Sequence, residues 1–183
     1  MKKIIMYIIF LFIISSCKKD ELNWDLKRLS PKDAKLEVSD LIYTNNCSAF
    51  SGFNFIATGP GTPSSIYWVL SNTGISGDCF KTEGNSTNAS IEFNLTMTED
   101  FILRFYFKSK GMTNESNNIP TVFKNALPIN TAIVSGNEDT SGEWLQMQTE
   151  IIRKGDNPIK IQFNGGSIKT FYIDEIELWK PRY

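Results

Sequence analysis

Apolar residues alternate with polar ones along most of this sequence. In the clearest segment the large side chains occupy every second position: Phe101, Leu103, Phe105 and Phe107. The segments 91–95 and 159–163 repeat this spacing. Successive side chains of a β-strand point to opposite faces of the sheet, so the spacing places one face of each strand in a core. The pattern predicts a chain built of half-buried β-strands.

Breaker residues divide the chain into short pieces. Segments rich in Gly, Asn, Ser, Pro and Thr separate ten or eleven predicted strands. Besides the three segments above, the predicted strands are residues 36–43, 53–57, 66–71, 78–81, 120–124, 131–134, 144–152 and 170–179. No segment keeps a helical period over three turns. We therefore predict an all-β fold, a single two-sheet antiparallel β-sandwich.

Composition excludes several classes of function. The 183 residues include no histidine, which removes Ser-His-Asp and Cys-His catalysis and every zinc site with a histidine ligand. Lys and Arg number 19 against 20 Asp and Glu, so the chain lacks the basic excess of a nucleic-acid-binding protein. We expect no nucleic-acid partner.

The N-terminus has the features of a targeting signal. Lys2 and Lys3 precede eleven consecutive apolar residues, Ile4 to Ile14, whereas a membrane-spanning helix needs about 20. The next residues, Ile14-Ser15-Ser16-Cys17, resemble the lipobox of bacterial lipoproteins. We predict a lipoprotein signal peptide over residues 1–16. The alternative is an uncleaved anchor that ends in a cysteine by chance.

The lipobox resemblance implies that Cys17 is acylated and anchors the protein to a membrane. Two or more acyl chains give stable anchoring, at about 0.8 kcal/mol per buried methylene. The polar residues 17–33 then form a tether, and 34–183 form the β-sandwich domain. Lys18-Lys19-Asp20-Glu21 resembles the signal that places Bacteroidetes-type lipoproteins on the outer face of the outer membrane. An ordinary solvated charge run is the alternative to this cell-surface location.

The remaining cysteines, Cys47 and Cys79, form an even pair in a compartment that favours disulfides. A disulfide between them would contribute roughly 3–4 kcal/mol by restricting the unfolded chain. The alternative is a pair of buried free thiols.

A family resemblance appears at the C-terminus. The segment 171–178, Phe-Tyr-Ile-Asp-Glu-Ile-Glu-Leu, is similar to the closing strand of galactose-binding-like jelly rolls. Carbohydrate-binding modules and MAM-like ectodomains use this fold. Residues 66–71, 74–80 and 142–144 also resemble parts of these domains, and the resemblance covers about Leu36 to Trp179. It implies a jelly roll that binds a glycan or a similar ligand.

Glycan binding needs aromatic rings that face solvent, because the apolar side of a pyranose stacks on them. Tyr67 and Tyr106 lie on the faces of their strands opposite the apolar residues, and Trp144 opens a strand after a polar loop. These three are the candidate glycan-binding residues. Packing against the domain is the alternative for each ring.

Asp174 is the candidate metal ligand, because the resembled family often holds a structural calcium at this strand position. Calcium takes six to eight oxygen ligands, and Glu37 and Asp40 are the nominated additional carboxylates. The alternative for Asp174 is a surface acid beside the last strand. We expect no other cofactor.

Three functions compete. The first is a non-catalytic, lipid-anchored envelope protein that binds an extracellular glycan. The second is an accessory lipoprotein that docks to another envelope protein through an exposed strand edge or aromatic patch. The third is a carboxylate-based polysaccharide hydrolase or lyase using Glu143 or Asp174.

Overall fold

The computed structural model describes residues 38–58, 68–82, 86–111, 118–136 and 142–182, with the backbone alone at 58 and 164–169. These residues belong to the unit Lys35–Tyr183. The predicted signal peptide and tether, with Cys17, lie outside the described residues. Among the residues described, no helix is long and apolar enough to cross a membrane.

Within these ranges the chain forms eleven β-strands. They are β1 (Val38–Asn45), β2 (Asn54–Thr58), β3 (Trp68–Ser71), β4 (Cys79–Thr82), β5 (Ser86–Met97), β6 (Ile102–Gly111), β7 (Thr121–Lys124), β8 (Leu127–Pro128), β9 (Thr131–Ser135), β10 (Leu145–Thr149) and β11 (Gly155–Pro181).

Strand β11 has 27 residues and contributes to two sheets. Its first part, 155–164, lies between β5 and β7; with β2 and β8 at the edges, these strands form the first sheet. Its second part, 169–181, pairs with β6 on one side and with β4 and β1 on the other. Adding β3 beside β4, and β10 and β9 beyond β6, completes the second sheet. All these ladders are antiparallel.

The core lies between the inner faces of the two sheets. In the first sheet Ile91 pairs with Ile161, and in the second Phe107 pairs with Ile173 and Leu145. Phe163 and Phe171, which come from the two parts of β11, stack with ring centroids 4.6 Å apart. These side chains are buried, as the period-two pattern predicts. The predicted all-β, two-sheet sandwich is confirmed.

Two details differ from the prediction. Residues 159–163 and 170–179 were predicted as separate strands, yet both belong to the single strand β11. The intervening Asn-Gly-Gly-Ser marks a change of hydrogen-bonding partner from one sheet to the other instead of a turn. The two-residue strand β8 was not predicted, because it is too short to show a period.

The cysteines require a correction, because Cys47 and Cys79 are both free thiols and fully buried. The Sγ of Cys47 lies 3.8 Å from the carbonyl oxygen of Asn45, and the Sγ of Cys79 lies 3.8 Å from the Oγ1 of Thr73. The two cysteines are therefore the pair of buried free thiols that the sequence left as the alternative. Burial raises the pKa of both thiols, and this keeps them protonated and unreactive.

Candidate functional site

The outer face of the second sheet carries a cluster of rings and lysines. We call it the aromatic–lysine face and define it by five residues: Lys81, Tyr106, Lys108, Trp144 and Tyr172. Their side chains share one face because the intervening residues point into the core, as Phe107 does between Tyr106 and Lys108. The register brings them together, since Tyr172 pairs with Lys108 on one side and with Lys81 on the other.

Lys108 is the centre of this face. Its Nζ lies 4.3 Å from the ring centroid of Trp144 and 4.7 Å from that of Tyr172. The two rings meet edge to face, with centroids 6.2 Å apart and planes at 75°. The Nζ of Lys81 lies 5.8 Å from the ring of Tyr172. Cation–π contacts of this kind contribute about 0.5–2 kcal/mol, so the lysines and rings hold one another in place.

Burial and like charges shape the ionisation of these groups. Burial lowers the pKa of Lys108, and the neighbouring charges of Lys110 and Lys81 lower it further. Burial also raises the pKa of Tyr172, and that of Tyr106 with help from nearby Glu175 and Glu177. The phenol of Tyr106 is partly exposed and can donate a hydrogen bond to a ligand, whereas Tyr172 keeps only 9% of its surface exposed.

A loop between β3 and β4 borders this face and is held by a buried carboxylate. Asp174 is fully buried; its Oδ2 accepts a hydrogen bond from the Ile75 N–H at 2.7 Å, and its Oδ1 accepts one from the Glu175 N–H at 2.8 Å. A Cβ on Gly74 would lie 2.6 Å from Oδ2, so only glycine fits there without a shift. Lys108 Nζ donates to the Thr73 carbonyl at 3.4 Å, which links the loop to the lysine.

Asp174 is thus neither a simple surface acid nor an open ligand. Burial raises the pKa of its carboxyl, although the two backbone hydrogen bonds act in the opposite direction. Asp40 is exposed on β1, and Glu37 lies outside the described residues. Within the described part of the chain, no three His, Cys, Asp or Glu side chains are grouped so as to hold a metal ion. Calcium binding at Asp174 stays a prediction.

The far end of the same outer face has its charges satisfied internally. Arg104 donates from Nε at 2.8 Å and from Nη2 at 2.5 Å to Oε1 of Gln148. Its guanidinium lies 5.4 Å from the ring of Trp179, whose Nε1 donates to Glu177 at 2.7 Å. Unlike the lysine end, this end offers no excess charge to a ligand.

Of the predicted glycan-binding residues, Tyr106 and Trp144 lie on the aromatic–lysine face, and Tyr67 lies outside the described residues. Sequence reasoning missed Tyr172 and the lysines. Tyr172 stands between the core residues Phe171 and Ile173, so the alternation that selected Tyr106 would also have selected it. The pairing of Lys108 with the rings depends on the register between β6 and β11, which alternation does not reveal.

A groove of about 300 Å³ lies between β1 and β5, away from the aromatic–lysine face. Its apolar lining includes Phe53, Phe93, Leu95 and Met97, and no charged side chain occurs among its described lining residues. Tyr43 of β1 borders it with 48% of its surface exposed. Tyr43 is therefore an exposed aromatic ring outside the aromatic–lysine face, and its replacement can serve as a control for replacing Trp144.

No protein-family model and no curated protein matches this sequence. Solved structures do resemble its fold. The CBM22-1 xylan-binding domain from Paenibacillus barcinonensis Xyn10C aligns with a TM-score of 0.52 at 11% identity, over 78% of this chain and 96% of that domain. The CBM22-1–GH10 modules of Clostridium thermocellum Xyn10B, complexed with xylohexaose, align with a TM-score of 0.51 at 10% identity, over 76% of this chain and 28% of that chain. The likeness shows the same β-sandwich fold as these carbohydrate-binding modules.

Proposed function

We propose that this protein is a non-catalytic glycan-binding protein and that its binding site is the aromatic–lysine face. The observation that carries the proposal is the partly exposed ring of Trp144, held beside Lys108 and edge to face with Tyr172, a ring that keeps only 9% of its surface exposed. The two solved structures support it, since one is a xylan-binding domain and the other holds xylohexaose. The fold supplies the scaffold, and this chain's own side chains determine the ligand.

The face has the two kinds of group that a sugar requires. A ring such as Trp144 offers an apolar surface to the C–H groups of a pyranose. Around it, Lys108 and the phenol of Tyr106 are donors for sugar hydroxyls. Lys108 orders the rings before a ligand arrives, so little side-chain entropy is lost on binding.

The burial of Asp174 argues against this carboxylate as a catalytic group. A catalytic carboxylate must reach the substrate or a water beside it, whereas both oxygens of Asp174 are engaged by backbone N–H groups. Turnover of a polysaccharide that disappears in Glu143→Ala or Asp174→Ala would revive the hydrolase or lyase alternative.

Anchoring through Cys17 is the second part of the proposal. Acyl chains on this cysteine hold the protein at the cell envelope, and residues 17–33 present the domain on the outer membrane surface. The lipobox-like sequence before Cys17 supports this placement. Radiolabelled palmitate should enter the full chain and not Cys17→Ala. An unmodified Cys17 in the mature protein would contradict the anchoring.

Glycan binding is tested with the full chain solubilised in detergent and screened on polysaccharide gels by affinity electrophoresis. Trp144→Ala should weaken binding at least about tenfold, because a central aromatic contact contributes about 2 kcal/mol. Tyr106→Ala should weaken it less. Tyr43→Ala, which removes the exposed ring beside the groove, is the matched control and should bind normally. Loss of binding in Tyr43→Ala with retention in Trp144→Ala would move the site to the groove.

A further inference from the structure

The aromatic–lysine face has a local excess of positive charge. Lys81 on β4 and Lys108 on β6 flank Tyr172 from its two sides, and Lys110 follows on β6 opposite Thr170. Lys108 experiences both other lysines as neighbouring like charges. Holding three ammonium groups near one another is unfavourable without a counter-charge, and a ligand that brings one gains binding energy.

The protein's own acids only partly meet this need. Asp174 is the carboxylate whose charge acts on Lys108, and it is buried and engaged by two backbone N–H groups. Glu175 accepts a hydrogen bond at 2.6 Å from Ser76 in the loop. At the far end of the face, Glu177 and Gln148 contact Trp179 and Arg104. The basic end therefore lies next to the rings, and the other end is balanced.

From this arrangement we infer that the ligand is an acidic polysaccharide, whose uronate carboxylates or sulfate esters pair with Lys81, Lys108 and Lys110 while a sugar ring stacks on Trp144. The inference rests on the proposed glycan binding and narrows its ligand class. Lysine ammonium groups act as point charges with rotatable donors, so they can pair with either a carboxylate or a sulfate. The rings add what a purely charged surface lacks, a contact with the uncharged part of each sugar.

The experiment compares ligands that differ only in charge. Polygalacturonate is matched by its methyl ester, and dextran sulfate by dextran; the first pair tests carboxylates and the second tests sulfates. The full chain should bind at least one charged member about tenfold or more tightly than its neutral partner. Binding should weaken as sodium chloride rises from about 50 to about 300 mM, because added salt screens the charges.

Variants locate the effect. Lys81→Gln and Lys108→Gln should each weaken binding of the acidic ligand about three- to tenfold, and should weaken any binding of its neutral partner by a smaller factor. Lys154→Gln is the matched control and should bind normally, because it replaces an exposed lysine just before β11, where that strand enters the first sheet. Thermal unfolding of each variant checks that it is folded. Lys81 contacts one ring and Lys108 contacts two, so Lys81→Gln tests the charge with less disturbance of the rings.

The outcomes separate the two proposals. Equal binding of charged and neutral glycans, lost in Trp144→Ala, would overturn the acidic ligand and keep the glycan-binding function. If the protein binds none of these glycans and none of the polysaccharides in the affinity-electrophoresis screen, both the glycan-binding function and the acidic ligand are overturned. Binding of the acidic ligand that Trp144→Ala leaves unchanged would indicate general charge attraction and overturn the inference. Charge preference that depends on both Trp144 and the lysines supports it.

Discussion

Replacing Asp174 by alanine should destabilise the fold and loosen the loop beside the aromatic–lysine face. The carboxylate accepts two backbone hydrogen bonds, 2.7 and 2.8 Å long, and has no exposed surface. Leaving a buried donor unpaired costs about 1–3 kcal/mol, and because these two hydrogen bonds are only part-buried, both donors together give roughly 2–4 kcal/mol. The substitution also removes a carboxylate whose burial is unfavourable, and this gain offsets part of the cost of the two lost hydrogen bonds. We expect a net loss of about 1–3 kcal/mol in the free energy of unfolding.

Urea unfolding at neutral pH measures this loss, and Asp78→Ala is the matched control. Asp78 is an exposed acid in the same loop, and its removal should change stability by less than about 0.5 kcal/mol. Hydrogen exchange at the Ile75 amide should also become faster in Asp174→Ala alone. Equal stability of the two variants would refute the hydrogen-bond reasoning. A wild-type stability that rises with calcium and falls with a chelator, with neither response in Asp174→Ala, would instead establish the calcium site.

Three further predictions concern ionisation, packing and the thiols. The folded pKa of Asp174 lies above its ordinary value of 3.8, so the protonated carboxyl stabilises the fold fully below pH 3.8 and this contribution is lost as the pH rises through the folded pKa. The stability of wild type relative to Asp174→Asn should therefore fall as the pH rises over this acid range. A rise in that relative stability would contradict the prediction. Phe171→Ala should cost about 3–5 kcal/mol in urea unfolding because it removes a fully buried stacked ring, whereas Phe123→Ala on the outer face of the first sheet should cost about 1 kcal/mol; equal costs would be inconsistent with this core. Cys47 and Cys79 should resist a thiol reagent in the native protein and both react in urea, as mass spectrometry of their peptides would show; rapid native labelling would disprove their burial.

The fold was largely predictable because the two faces of each strand differ in polarity. The alternation from Phe101 to Lys108 assigned the core side of β6 correctly, and similar patterns did so for β5 and the first part of β11. The continuity of β11 was missed. Its Asn-Gly-Gly-Ser segment has the composition of a turn, and only the hydrogen-bond partners on either side show that the strand passes from one sheet to the other.

The site was predictable only in part. Tyr106 and Trp144 were selected because each is placed away from core positions, and both lie on the aromatic–lysine face. The contact of Lys108 with two rings joins β6, β11 and the residue just before β10, so it requires the register, which a local pattern does not contain. The burial of Asp174 has the same origin. Its own strand places it on the outer face, and a loop 99 residues away in sequence covers it.

Mapping the ligand contact by NMR tests the central claim most directly. With the isotope-labelled protein titrated with oligogalacturonate, we expect saturable shifts of the Trp144 indole N–H and of the Lys108 and Tyr172 amides. The amides of Glu92 and Lys160, an ion pair on the outer face of the first sheet, should not move. Shifts confined to the groove near Tyr43, or to the first sheet, would contradict the assignment of the aromatic–lysine face as the glycan site.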